Sequence, residues 1–231
     1  MRGPTGTAGV SSAVRTRLGR VTWVQRALLT GLVLAVVWTE WTTGSLTHRM
    51  LKDVVVYIYL PAALAVVHGR RLGWRVDRRA VRNTVLLALF VLPFYVVGST
   101  LPSVRTFYPM WGGGLEGYLP RALQQFVVVL AAETYYRGLL CVGVRDLGRK
   151  AALISPVVYA FHHLGKPPVE LLLSGPTDVL FGLVDYESDS ILPSVVAHGG
   201  GLALLDWLVL HDPVLPPGTV LRALSWLPVP L

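Results

Sequence analysis

Apolar runs of helical length alternate along the chain with short breaks rich in Arg, Gly or Pro. A run over residues 23–41, with tryptophan at each end, predicts a first membrane span. A turn at 44–49 separates it from a second span over 51–67. Residues 68–79 are strongly basic and read as an inner loop. A third span is predicted over 81–98, kinked at Pro93, and residues 99–120, rich in Gly, Pro and aromatics, form an outer loop. The fourth run, 121–142, ends at Arg145, Arg149 and Lys150. The fifth, 151–164, is short for a bilayer. Pro167 and Pro168 then interrupt the helix, a sixth run over 171–184 is broken at Gly175 and Pro176, and 185–189 make a polar inner turn. A seventh run covers 191–210. The expected fold class is all-α: a polytopic transmembrane bundle of about seven helical segments, each satisfying its own backbone in hydrocarbon.

Composition sharpens this. Of 231 residues, 53% are hydrophobic and only 15% charged, against about 25% charged in soluble domains. The net charge of +8 would suit nucleic acid, but Lys and Arg concentrate at 2–26, 70–82 and 145–150, between apolar runs. That distribution follows the positive-inside rule and puts these segments beside membrane lipid rather than nucleic acid. The N-terminus is then cytoplasmic and the protein integral to the cell membrane. Residues 1–20 read as a disordered basic tail, 21–212 as the helical domain and 213–231 as a Pro-rich tail. The single cysteine, Cys141, excludes an internal disulfide and a multi-cysteine zinc site; it reads as a small packing residue.

Few polar residues fall at membrane depth. Glu133 and Arg137, four apart on one helical face, sit inside the fourth run. An ionisable group there costs about 2.5–3.5 kcal/mol or more. His162, His163 and His198 occupy the fifth and seventh runs. Counted from the inner ends, Glu133, His163 and His198 lie within about 8 Å of one depth at 1.5 Å per residue, so one cavity could hold all three. A carboxylate with two imidazoles can take a proton from water and stabilise an oxyanion. The same three residues could hold a divalent metal such as zinc, and spacing does not separate the two. There is no His-Glu-x-x-His, Gly-x-Ser-x-Gly or Walker A sequence.

Three segments resemble one known family. Glu133-Thr-Tyr-Tyr-Arg137-Gly-Leu-Leu, then Tyr159-x-x-x-His163, then the stretch from Gly182 through Ser190-Ile-Leu-Pro-Ser194 to His198 are similar to the three motifs of the CPBP family. These are the CAAX-processing and bacteriocin-processing (Abi) intramembrane proteases. The resemblance covers about residues 120–210. It implies a membrane-embedded endopeptidase acting on a membrane-associated peptide or protein. Glu133 would activate water with His163 beside it, His198 would stabilise the oxyanion, and Arg137 would orient the glutamate. On that mechanism no cofactor is required. The family's motif-one pair is Glu-Glu, and its last histidine is commonly followed four residues on by Asn; this chain has Ala132 and Leu202 there. It resembles a variant branch with a single motif-one glutamate, supported by Glu170 or Asp206.

Each residue also has a plainer role. Glu133 and Arg137 could simply neutralise each other. His162 should point away from His163, Lys166 could snorkel to the interface, and Asp178 and 185–189 read as structural. Gly199, Gly200 and Gly201 should permit close helix packing. A proteolytically inactive relative acting as a membrane partner or immunity protein is the alternative function. A small proton-relay transporter ranks below it, since no inverted repeat is visible.

Overall fold

The structure, a computed structural model, describes residues 21–231, so the expected tail at 1–20 lies outside the described residues. Among them every regular element is helical. Helix α1 is Trp23–Glu40, opened by a capping box between Thr22 and Gln25. Helix α2 spans Leu46–Val67, with a π-helical stretch at Val54–Tyr59. It begins five residues before the apolar run, because the Ser45 hydroxyl accepts the His48 N–H and caps it there. Helix α3, Arg78–Gly98, likewise starts early on the Asp77 cap and continues through Pro93.

A short helix α4, Pro102–Phe107, lies in the expected outer loop. Helix α5, Tyr118–Glu133, runs straight into a π-helical turn, Thr134–Leu139. The chain then bends by 78° into a 3-10 stretch, Val142–Leu153. Helix α6 is only Ser155–His162. Helix α7, Pro168–Ser188, starts on Pro168, whose missing N–H costs nothing in a first turn. The expected break at Gly175 and Pro176 does not occur, since α7 passes through Pro176 uninterrupted. Helix α8 is Leu192–Val209 and α9 is Pro217–Ala223.

A helical bundle is therefore what forms, but not with seven spans of full length. By length and composition, α2, α3 and α8 could each cross a membrane, and the bent pair of α5 and the 3-10 stretch makes a fourth if counted as one. Helix α6, with eight residues, is too short to cross alone, and α7 carries Glu170, Asp178, Asp185 and Glu187.

Packing explains the sidedness of the apolar residues. Ala80, Thr84, Leu87 and Val91 form the buried stripe of α3 at helical spacing, while Leu86, Leu89, Phe90 and Phe94 point outward and are more than half exposed. Such an outward apolar belt belongs in hydrocarbon. Helix α8 packs most extensively on α3 and next on α5. Two of the expected small residues make that possible. A Cβ on Gly199 would lie 2.7 Å from the Phe126 ring, and one on Gly201 would lie 2.0 Å from the Tyr95 ring, whereas one on Gly200 meets nothing within 4 Å. Cys141 is a buried packing residue, as expected, with its thiol directed at the Gly182 carbonyl.

At one end the basic segments meet the acidic turn. Arg75 and Arg145 pair with Asp189, Arg79 and Arg149 with Glu187, and Arg70 with Asp146. At the other end the 213–231 segment folds back: Val220 is buried in an apolar cluster with Leu101, Val104, Leu205 and Val209.

Candidate active site

The last turn of the α-helical part of α5 places Glu133, and the π-helical turn that follows carries Arg137. Single π-helical turns recur at functional sites because they redirect side chains within a helix. Both side chains are buried completely. Arg137 Nε lies 3.2 Å from Glu133 Oε2, and its Nη1 lies 2.5 Å from Asp178 Oδ1 on α7. The other Asp178 oxygen accepts the Ser155 hydroxyl at 2.6 Å. The rings of Tyr159 and Phe181 flank the guanidinium at 5.2 and 5.7 Å. One cation thus faces two carboxylates in a dry interior, where an unpaired charge would be costly.

Helix α8 brings His198 to the other face of Glu133. His198 Nδ1 lies 2.7 Å from Glu133 Oε1. A carboxylate only accepts, so Nδ1 carries the proton in this contact, which leaves Nε2 as the ring nitrogen not engaged by Glu133. The histidine side chain is 23% exposed while Glu133 is fully enclosed. The pair is therefore a buried carboxylate behind an accessible imidazole. Ser194, one turn earlier, lies beside Glu133 and donates to Asp185 at 2.5 Å, which secures the start of α8.

His163 forms a second group nearer the α3 and α4 end. Its Nδ1 donates to the Tyr159 carbonyl at 2.9 Å and its Nε2 lies 3.7 Å from Glu170. Glu170 accepts from Lys166 at 3.0 Å and from the Tyr108 hydroxyl at 2.8 Å. Lys166 is thus part of a part-buried polar set with Glu170 and Tyr108. Tyr95 stands within electrostatic reach of both Glu133 and Glu170, and His163 within reach of His198.

The sequence-predicted residues accordingly divide. Glu133, Arg137 and His198 converge. His163 and Glu170 sit together in the adjoining group, without direct contact to Glu133. Asp206 stands apart, accepting from Gln125 at 2.9 Å, about 12 Å along α5 from Glu133 at 1.5 Å per residue. His162 points elsewhere: its Nδ1 meets the Tyr136 hydroxyl, and its ring lies 4.4 Å from Trp38. Among the described residues no three His, Cys, Asp or Glu side chains are grouped as metal ligands. Of the three residues considered for a metal, Glu133 and His198 touch each other, while His163 Nε2 faces Glu170 at 3.7 Å.

Asp178 was missed as a site residue. A signal was available: an acid in mid-run requires a cation, and Arg137 is the arginine held at the same depth.

Apolar helices around a buried acid, base and cation define a membrane-embedded polar site. Residues 117–201 match the family model described as type II CAAX prenyl endopeptidase Rce1-like. The match contains all three motifs and bears out the CAAX-protease resemblance drawn from them. No curated protein and no solved structure matches the chain.

Proposed function

We propose that this protein is an intramembrane endopeptidase in which Glu133 and His198 act as one base. The observation that carries this reading is the 2.7 Å contact between a fully buried carboxylate and a partly exposed imidazole. Glu133 holds the imidazole with its Nδ1 proton inward and favours the imidazolium once it forms. His198 Nε2 takes a proton from water, and the oxygen attacks the peptide carbonyl carbon. The carbonyl electron pair moves to oxygen, giving the tetrahedral oxyanion. As it collapses, the C–N bond breaks and His198 returns the proton to the leaving amine. In this scheme Glu133 acts one step behind the water, with Oε1 held by His198 and Oε2 facing the Arg137 guanidinium.

Arg137, fixed by Asp178, keeps Glu133 ionised and oriented. His163, whose Nδ1 donates to the Tyr159 carbonyl, has an Nε2 that in this tautomer accepts and does not donate, so it supports the adjoining group with Glu170 and has no oxyanion role in this scheme. No step passes through a metal. The substrate is a membrane-associated peptide or protein, the family match pointing to a lipid-anchored C-terminal segment. On the positive-inside rule the ion-paired end faces the cytoplasm, within the cell membrane.

The test is cleavage of a prenylated C-terminal peptide and of an unmodified transmembrane peptide by the reconstituted chain. Glu133→Gln and His198→Ala should each lower turnover by about 10²-fold or more. The double variant should be little worse, because groups acting as a unit are not additive. Unchanged cleavage in folded single variants overturns the mechanism. A second reading, an inactive membrane partner, is favoured by Leu202, which sits among apolar neighbours where the family commonly has a polar Asn. It predicts that both variants retain the biological function in full.

A further inference from the structure

Beside the C-terminal end of α2 lies a cavity of about 420 Å³ that the proposed chemistry does not use. It falls within the usual range of ligand pockets, about 300–1,000 Å³. One wall is apolar, built from Ala62, Ala65 and Val66, and Val66 is 78% exposed. The rim holds Arg70, Arg71 and Arg75. Two of these have carboxylate partners, Asp146 for Arg70, and Asp77 and Asp189 for Arg75. Asp189 is shared with Arg145. Among the described residues no carboxylate pairs with Arg71. The rim is thus cationic and continues into a hydrocarbon-compatible wall.

We infer that this cavity binds an anionic glycerophospholipid, its phosphate on Arg70 and Arg71 and the start of an acyl chain along Ala62 and Val66. Guanidinium groups suit phosphate because several N–H donors converge on its oxygens. A free phosphate ester would satisfy the arginines but leave the apolar wall uncovered. Basic pockets between membrane helices are well placed for such headgroups.

The same loop supports the candidate site. Trp74 lines the cavity and donates its indole N–H to the Thr134 hydroxyl at 3.1 Å, next to Glu133. The Gly73 carbonyl accepts the Ile191 N–H at 3.0 Å, and the Arg75 carbonyl accepts the Ser190 hydroxyl at 2.6 Å, both at the start of α8. A lipid bound here would hold the loop between the helices that carry Glu133 and His198.

Trp74 is 54% exposed and can report occupancy. The full chain is reconstituted in phosphatidylcholine bilayers containing brominated phosphatidylglycerol or, at equal mole fraction, brominated phosphatidylcholine. The Trp74 signal is the difference between wild type and Trp74→Phe. Phosphatidylglycerol should quench it at least twofold more effectively. Arg70→Gln/Arg71→Gln should remove the preference, while Arg82→Gln, at the same end but outside the cavity, should keep it. Equal quenching of wild type by the two lipids overturns the site without any variant. Abolition of the preference by millimolar glycerol phosphate overturns the lipid as occupant in favour of a soluble phosphate ester.

Discussion

Arg137 sets the charge balance of the polar site. It is completely buried and faces Glu133 at 3.2 Å and Asp178 at 2.5 Å. Breaking a buried pair by removing one partner costs about 3–5 kcal/mol, whereas replacing the whole set by apolar groups of similar volume is often neutral. Arg137→Met should therefore lower the melting temperature in detergent sharply, and Arg137→Met/Asp178→Leu should recover part of the loss without recovering cleavage. Equal melting temperatures for wild type and Arg137→Met would remove the pairing argument. The Glu133–Arg137 half of this set was legible because four residues along a helix are neighbours whatever the tertiary fold. Asp178 was not, since its partner is 41 positions away on another helix. Likewise His198 could be placed at the depth of Glu133 by counting residues, but the 2.7 Å contact depends on how α8 rotates against α5.

That rotation is governed at the scale of the element. Phe126 and Tyr95 occupy the space left by Gly199 and Gly201, so α8 sits close to both α5 and α3. A Cβ on Gly201 would fall 2.0 Å from Tyr95, and overpacking of this kind costs about 1–3 kcal/mol. Gly201→Ala should thus destabilise the protein and shift His198 away from Glu133, lowering turnover. Gly200→Ala, with open space around it, should be neutral or slightly stabilising, since alanine is the better helix former by about 0.5–1 kcal/mol. Thermal unfolding and cleavage of the two variants side by side measure the contrast. The longest apolar runs, α2, α3 and α8, were readable as helices because hydrocarbon-facing residues leave little else to form. The bend after Leu139 and the shortness of α6 were not. Both depend on packing of the 3-10 stretch against α7, which leaves no periodic trace in the residues themselves. Capping also shifted the starts of α2 and α3 outward, to Ser45 and Asp77, beyond the apolar residues that marked the expected spans.

For the whole molecule, the basic end is where separate elements are tied into one unit. The 68–77 loop, the first turn of α3, the 3-10 stretch and the C-terminal end of α7 with the turn after it meet there through ion pairs centred on Glu187 and Asp189. These pairs lie at the surface, so salt should weaken them. Asp77 differs from them, because its carboxylate also caps α3 by accepting the Ala80 N–H at 2.8 Å. That backbone hydrogen bond, followed by the neighbouring Arg75 charge, holds its carboxyl below the ordinary value of 3.8. A carboxyl whose folded value is depressed contributes stability above the unfolded value and loses it as pH falls through the folded one. The melting-temperature gap between wild type and Asp77→Ala should therefore stay constant from pH 7 to about pH 5 and close as pH drops below about 4. Asp77→Asn keeps an acceptor for the Ala80 N–H but cannot titrate, so its gap to Asp77→Ala should persist through the same range. If the wild-type gap instead opened on acidification, Asp77 would not be acting as an ionised cap, and the attachment of the basic loop to α3 would have to rest on the ion pairs alone.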